Sequence, residues 1–245
     1  MLRLRGISFA EKFAGRTAGS GLVSLAVSDR FGAAIKIACE TDFAARNDLV
    51  RTLARHLPSM LSPMVRDIQH CRFKEQIHPQ IRSLLVSDAF MELSSLIGEK
   101  VELQSIDLID ADFVGSYVHE TTDSVVGTKG ALVGFNGRIP PGFESFGKSV
   151  ARHVLAFPPK YISLSSVDHE LLESESNTLK GSCADDESFD KRWKRFVGEI
   201  VLEEATLLSD SDADVSVKAA IDDFVVKCGG ASGSVALSSF IAIGV

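Results

Sequence analysis

The amino-acid sequence predicts an α+β protein with two small, mostly antiparallel sheets and helices packed on them. Three observations support this fold class. Short alternating apolar segments predict strands, longer segments with apolar residues at helical spacing predict helices, and a glycine-containing turn between the first two strands predicts a hairpin. The element types recur about twice along the 245 residues, which indicates two subdomains.

The first half of the chain predicts a hairpin between helices. Residues 2–18 have apolar positions at helical spacing and predict the end of a helix. Residues 22–40 contain two strand patterns around a turn and predict a β-hairpin. Residues 43–57 predict a helix, and residues 80–97 predict an amphipathic helix that ends at Gly98.

Sequence patterns in the second half of the chain predict most of the remaining strands. Its predicted strands cover 100–108, 112–119, 124–135 and 234–243, and its predicted helices cover 144–157 and 215–228. Between the two helices, residues 164–190 are polar and rich in Ser, Glu and Asp. We expect this segment to be the most flexible or reduced element of the fold.

The net charge of −7 argues against a nucleic-acid-binding protein, because neutralising phosphates requires clustered Lys and Arg. The charge is uneven along the chain. Residues 1–16 hold four basic side chains and one acid, whereas residues 203–223 hold seven acids and one Lys. Such asymmetry can orient a protein on its partner, although a solvated charged face is the commoner outcome.

The four cysteines are far apart in the sequence and have neither CxxC nor Cys/His ligand spacing. We therefore expect free thiols in a reducing compartment. No apolar run approaches the roughly 20 residues that a membrane helix needs. The N-terminal apolar segment is too short for a secretory signal, so the sequence predicts neither of these elements.

The most informative segment lies where a predicted strand gives way to a helix. The alternating run 35–39 predicts the strand, and Thr41 and Asp42 are good helix-capping types. Phe43 follows at the first helical turn. Taken alone, these residues favour an ordinary helix start, with Thr41 or Asp42 as the cap and Phe43 in the core. The other interpretation is that Asp42 and Phe43 both reach a partner molecule.

The segment 38–48, ACETDFAARND, resembles the signature of the translation elongation factor Ts family, the nucleotide exchange factors of elongation factor Tu. The similarity covers essentially residues 3–245 and is strongest in the first half. It continues through RGIS at 5–8, IGEK at 97–100, GSYVH at 115–119 and FVGE at 196–199.

This resemblance implies a domain organisation and a compartment. It assigns 1–18 to a remnant of the N-terminal helical domain, 19–110 to the core N-subdomain, 111–163 and 196–245 to the core C-subdomain, and 164–195 to a shortened dimerisation-arm-like insertion. Most of the family's ubiquitin-associated-like N-terminal domain and its bacterial C-terminal helix are expected to be missing. These departures resemble the mitochondrial branch, so we expect a mitochondrial protein, with plastid or bacterial cytoplasm as alternatives.

The resemblance also implies the function and the site. The family's Asp-Phe pair corresponds to Asp42 and Phe43, which we call the wedge and which would displace Mg²⁺ beside the GDP of elongation factor Tu. The implied partner-binding residues are Thr41, Asp42, Phe43, Ala44 and Ala45, with Ile97, Gly98 and His119 as a second contact set. The expected complex is one-to-one with GDP-bound or nucleotide-free elongation factor Tu, without catalysis, cofactor, metal, nucleic acid or membrane.

Three alternatives remain open. Cys39 and His119 could form a nucleophilic pair, although Cys39 lies in an apolar strand pattern. Asp107, Asp110 and Asp112 could bind a metal, although their spacing lacks the Gly and distal Glu of a calcium loop and favours a strand turn. The third alternative is a non-exchanging scaffold of an organellar translation complex. Separately, His119 alone also fits a strand-end histidine with satisfied hydrogen bonds.

Overall fold

The computed structural model describes residues 13, 15–28, 30–62, 64–67, 71, 84–120, 125–183, 185–208 and 214–245. Within these ranges the protein has seven α-helices and two small antiparallel sheets, which confirms the predicted α+β class. The strands are β1 (Ser20–Ser28), β2 (Phe31–Cys39), β3 (Val101–Asp110), β4 (Phe113–His119), β5 (Val126–Gly127), β6 (Lys129–Gly137) and β7 (Val235–Gly244). The helices are α1 (Asp42–Arg46), α2 (Asp48–His56), α3 (Val86–Ile97), α4 (Phe143–Ala156), α5 (His169–Ser182), α6 (Asp186–Ile200) and α7 (Val217–Lys227).

The predicted hairpin is confirmed as the centre of a four-stranded sheet with the order β3-β2-β1-β5. β1 and β2 pair along their whole length, from Ser20 opposite Cys39 to Ser28 opposite Phe31. Almost every residue of β2 is buried. Because β2 is an inner strand with apolar side chains on both faces, it anchors the elements that follow it.

The core of this region forms between the sheet and helices α1, α2 and α3. Ile35 and Ile37 of β2 have no exposed surface and belong to the same apolar cluster as Leu53 of α2 and Leu93 of α3. A fully buried Leu or Ile contributes about 1.5–3 kcal/mol to stability. This packing fixes the end of β2 and the start of α1 against a common support.

The single helix predicted over 43–57 is wrong, because the structure has two helices separated at Asn47. Asn47 has extended backbone angles, φ −62° and ψ 133°. Its amide donates to Ala44 O at 3.1 Å, and its side-chain oxygen accepts from Leu49 N at 2.9 Å. Asn47 therefore ends α1 and caps α2, which is a known role of Asn at helix starts.

Two other boundaries differ from the prediction. The helix predicted from residue 80 begins at Val86; residues 84 and 85 are not helical, and residues 80–83 lie outside the described ranges. The strand predicted over 124–135 is divided at Thr128 into β5 and β6. Of the helix predicted over 2–18, residues 2–12 and 14 lie outside the described ranges, Phe13 is helical and residues 15–18 are not.

The polar segment 164–190, expected to be the most flexible or reduced element, is largely helical. It contains α5 and the start of α6. No side chain of α5 is buried, so its polar composition is explained by exposure to solvent. The other second-half helices and the last strand agree with the prediction to within two residues at each end.

The chain forms two compact units. The first comprises Met1–Asp110, Ser116–Leu132 and Ile241–Val245, and the second comprises Ala111–Gly115 and Val133–Phe240. The first unit thus adds three segments, 1–18, 116–132 and 241–245, to the predicted N-subdomain, 19–110. None of the described helices has the length and apolar composition that a membrane crossing requires.

Candidate partner-binding site

The corner between β2 and α1 is built around the Thr41 side chain. Thr41 is the N-cap of α1, with φ −129° and ψ 166°, and its hydroxyl accepts a hydrogen bond from Ala44 N at 3.2 Å. This confirms that Thr41 caps the helix. The cap satisfies one of the free amides at the helix start and fixes the direction in which the following residues leave the sheet.

Phe43 is 77% exposed, so the expectation that it packs in the core is wrong. Ala44 and Ala45, the next two residues, are 1% and 5% exposed and belong to the apolar cluster under the sheet. The helix therefore turns its small side chains inward and its aromatic ring outward. Its outward surface is provided by the wedge, Asp42 and Phe43, rather than by the alanines.

Asp42 is also open to solvent. Its side chain is 55% exposed and forms an ion pair with Arg46 at 3.3 Å, one helical turn further on. Pairs of this kind contribute about 0.3–0.5 kcal/mol. The Asp42 carboxylate can therefore exchange its intrahelical partner for another at small cost.

The second predicted contact lies at the end of α3. Gly98 has φ +80° and ψ 8°, and its amide closes the helix on Ser94 O at 2.8 Å. A Cβ atom at Gly98 would meet no atom within 4 Å. Glycine is thus required by the left-handed backbone conformation, and the open space beside Gly98 permits close approach of another molecule.

Hydrogen bonds join the two corners directly. The Thr41 hydroxyl donates to Glu99 Oε2 at 2.6 Å, and Glu40 N donates to Lys100 O at 2.9 Å. In return, Lys100 N donates to Glu40 Oε2 at 3.1 Å. The structure therefore brings the wedge corner and the Ile97–Gly98 corner together at one end of the sheet.

The positively charged side chain of Arg16 also binds at this corner. Arg16 Nη1 donates to Glu40 Oε2 at 3.0 Å and to Gly98 O at 3.4 Å. The Lys100 amide, and then the Arg16 guanidinium, hold the pKa of the Glu40 carboxyl below its usual range. An Arg near Gly98 O also suits the negative end of helix α3.

Sequence analysis missed Arg16, Glu40, Glu99 and Lys100 as parts of this site. Three of them stand next to singled-out residues, because Glu40 precedes Thr41 and Glu99-Lys100 follows Gly98. The signal available in the sequence was the presence of charged residues directly after the predicted end of a strand and directly after the predicted end of a helix. The pairing could not be predicted, since it depends on the register that places Cys39 opposite Val101.

His119 ends β4 and lies apart from these two corners. Tyr117 Oη lies 3.3 Å from its Nδ1, and its carbonyl accepts from Thr128 N at 3.2 Å. Because Gly127 pairs with Val23, this segment borders the β1 edge of the sheet. The described contacts do not join it to the other predicted residues.

The proposed Cys39 nucleophile is excluded by its surroundings. Cys39 is fully buried, and burial, with a smaller effect of the Glu99 charge, raises the pKa of its thiol to about 12. A nucleophilic cysteine needs a thiolate and an accessible site. Cys39 has neither property, so it acts as a small apolar core residue.

The three aspartates considered as metal ligands have individual partners in the protein. Asp107 accepts from the Ser105 hydroxyl at 3.1 Å, and Asp110 pairs with Arg66. Asp112 accepts from Gly137 N at 2.8 Å. These bonds explain the acids as parts of strands and turns, which is the interpretation favoured by their spacing.

The chain is similar to a known protein family over most of its length. The family model described as "Elongation factor TS" matches residues 40–228, which include every predicted site residue. The chain is 30% identical to Elongation factor Ts of Rhodospirillum rubrum, over 88% of this chain and 72% of the relative. It is 28% identical to the mitochondrial Elongation factor Ts of Zea mays, over 91% of this chain and 69% of the relative. It is also 28% identical to Elongation factor Ts of Anaplasma marginale, over 87% of this chain and 78% of the relative.

Proposed function

The chain belongs to the elongation factor Ts family, and we propose that it is a guanine nucleotide exchange factor for elongation factor Tu in translation elongation. In this proposal the wedge promotes GDP release by displacing Mg²⁺ from the nucleotide site of the partner. The observation that carries the proposal is the exposure of Phe43, 77%, on a helix whose next two residues are buried. An aromatic ring held in water by its own fold is available for burial in a partner.

Burial of this ring supplies the driving force. Transferring a Phe side chain from water to an apolar site contributes about 1.5–3 kcal/mol. Mg²⁺ requires nearly ideal octahedral geometry at short distances, so small displacements of its ligands weaken its binding. The gain from burying Phe43 offsets the loss of metal coordination. The Asp42 carboxylate adds a negative charge beside the phosphates, which disfavours bound GDP further.

The second contact set holds the partner while the wedge acts. In the proposal Ile97 supplies an apolar contact, Gly98 allows close backbone approach, and His119 forms a hydrogen bond near the phosphate loop. The open space beside Gly98 supports this assignment. In the proposal His119 contributes separately from the wedge corner, so the partner spans two separate contacts.

Exchange of this kind requires no chemical step by the factor. It requires only different affinities for two states of the partner. Coupling is reciprocal, so GDP weakens binding of the factor by the same ratio that the factor weakens binding of GDP. We propose a one-to-one complex that is tightest with nucleotide-free elongation factor Tu.

The function is tested by loading elongation factor Tu with fluorescent GDP and measuring release into excess unlabelled GDP. We expect the chain to accelerate release when Mg²⁺ is present. Because the proposed step removes Mg²⁺, the acceleration should shrink strongly when EDTA has already removed the metal. Equal acceleration with and without Mg²⁺ would contradict the displacement mechanism.

The same assay distinguishes exchange from the scaffold alternative. Binding is measured in parallel with nucleotide-free elongation factor Tu on a sensor surface. A chain that binds but leaves the release rate at its intrinsic value would be a scaffold. A chain that neither binds nor accelerates would contradict both functions.

We propose that the protein works in the mitochondrion. Its relatives include a mitochondrial protein from a plant as well as bacterial proteins. The expectation that residues 164–195 are a shortened form of the bacterial arm also favours the mitochondrial branch. Fractionation of the source cells with an antibody against the chain tests this location, and recovery in plastids or cytosol would contradict it.

A further inference from the structure

We infer that Glu99 is a positioning residue for the wedge: its carboxylate fixes the Thr41 hydroxyl and thereby holds Phe43 and Gly98 as one contact surface. This inference rests on the proposed exchange function and deepens it. Glu99 need not touch elongation factor Tu for this role. Its effect passes through Thr41, which starts the helix that carries Phe43.

The first step is the hydrogen-bonding capacity of Thr41. A hydroxyl has one proton to donate and two lone pairs that accept. The proton points to Glu99 Oε2 at 2.6 Å, and a lone pair accepts from Ala44 N at 3.2 Å. Glu99 therefore sets the rotation of the hydroxyl in the orientation that the helix cap requires. Without it the hydroxyl is free to turn, and the five-residue helix α1 loses part of its support.

The second step is the kind of bond that Glu99 makes. Within the described part of the chain, its carboxylate binds a neutral hydroxyl and forms no ion pair, whereas Glu40 pairs with Arg16. A hydrogen bond from a hydroxyl to a carboxylate is charge-assisted, short and about twice as strong as a neutral one. The Glu99 carboxylate therefore acts by orienting the Thr41 hydroxyl.

The third step is the position of Glu99 in the chain. It directly follows Gly98, whose left-handed conformation reverses the backbone at the end of α3. Lys100, the next residue, exchanges hydrogen bonds with Glu40 at 2.9 and 3.1 Å. The two bonds of Lys100 fix the backbone on one side of Glu99 and the glycine cap fixes it on the other. Movement of Glu99 is therefore restricted, and Thr41 is held relative to Gly98.

The experiment is a double-mutant cycle on GDP exchange, with the full chain and elongation factor Tu loaded with fluorescent GDP. Glu99→Ala is measured alone and together with Phe43→Ala. Glu102→Ala is the matched control, because it removes a nearby acid that pairs with Lys100 and does not bind Thr41. Glu99→Gln retains a carbonyl oxygen that can accept from Thr41. Thermal unfolding of each variant shows whether it is folded.

We expect Glu99→Ala to lower kcat for exchange roughly tenfold with KM within about threefold, as loss of one charge-assisted bond implies. Glu99→Gln should fall between wild type and Glu99→Ala, and Glu102→Ala should match wild type. In the Phe43→Ala background, Glu99→Ala should change kcat less than about twofold, because its effect acts through the ring.

Three outcomes would overturn the inference. One is a wild-type kcat for folded Glu99→Ala, and another is an equal loss in the Phe43→Ala background. If Glu99→Ala does not fold, Glu99→Gln decides, and wild-type exchange by folded Glu99→Gln counts against the inference. Exchange by Phe43→Ala at the wild-type rate is a different result, because it removes the proposed wedge itself. A slow Phe43→Ala with a fast Glu99→Ala removes only the role of Glu99.

Discussion

Phe43 projects from the protein because the residues beside it occupy the inward positions of a short helix. Ala44 and Ala45 are buried, and their small side chains let α1 lie close to the sheet. Hydrophobicity alone predicts the opposite arrangement, with the large ring inside and an alanine outside. The sequence pattern around Phe43 was therefore insufficient, and only the family resemblance indicated an outward ring.

Gly98 offers a test of backbone conformation at the second contact. Its φ of +80° is unfavourable for residues with a Cβ, whereas the space around it is open. We expect Gly98→Ala to lower the free energy of unfolding by about 1–2 kcal/mol, the cost of a left-handed conformation for a residue with a Cβ. Gly19→Ala is the control, since a Cβ there also meets nothing within 4 Å and its φ is not positive. Urea unfolding measures both, and equal effects would contradict the conformational explanation.

Glu40 offers a test of charge at the same corner. The Lys100 amide and the Arg16 guanidinium favour its ionised form, so its pKa is lowered in the folded protein. A group with a lowered folded pKa stabilises the protein above its unfolded pKa, near 4.3 for Glu, and loses this effect as pH falls through the folded pKa. Glu40→Gln should therefore be less stable than wild type at pH 7 and equally stable well below pH 4. Thermal unfolding across this range measures the difference, and a constant difference would contradict the assignment.

Among the elements, the α1–α2 break decides how the wedge is presented. The apolar positions of 43–57 have helical spacing throughout, so periodicity predicts one helix. The break depends on Asn47, which accepts from Leu49 N and donates its amide to Ala44 O. Asn followed by Asp is a helix-start signal that could have been recognised. In a continuous helix over 43–57, Asn47 would be an interior residue and would not cap α2.

Replacing Asn47 tests the cap at this break. Asn47→Ala removes the side-chain acceptor for Leu49 N and should cost about 1 kcal/mol of unfolding free energy. Asn47→Asp keeps an acceptor at the same position and should retain most of the stability. Urea unfolding of the two variants provides the measurement. An Asn47→Ala variant as stable as Asn47→Asp would show that the break does not depend on the cap.

At the scale of the whole molecule, periodicity predicted the fold class, the hairpin and most second-half elements correctly. It did not predict the helices within 164–190, because a solvated helix has few apolar residues to mark its period. It also could not place Arg16 beside Glu40, which lies 24 residues away in the chain. Contacts of this range follow from strand register and packing rather than from local pattern. All predicted site residues nevertheless fall in one of the two compact units.

The measurement that tests the central claim most directly is GDP release by Phe43→Ala beside Phe157→Ala. Both side chains are largely exposed, at 77% and 60%, so both variants remove a similar solvated ring. We expect Phe43→Ala to slow stimulated release at least tenfold, since loss of a buried ring costs about 1.5–3 kcal/mol. Phe157→Ala should match the wild-type rate. Stimulated release by Phe43→Ala at the wild-type rate would contradict the account.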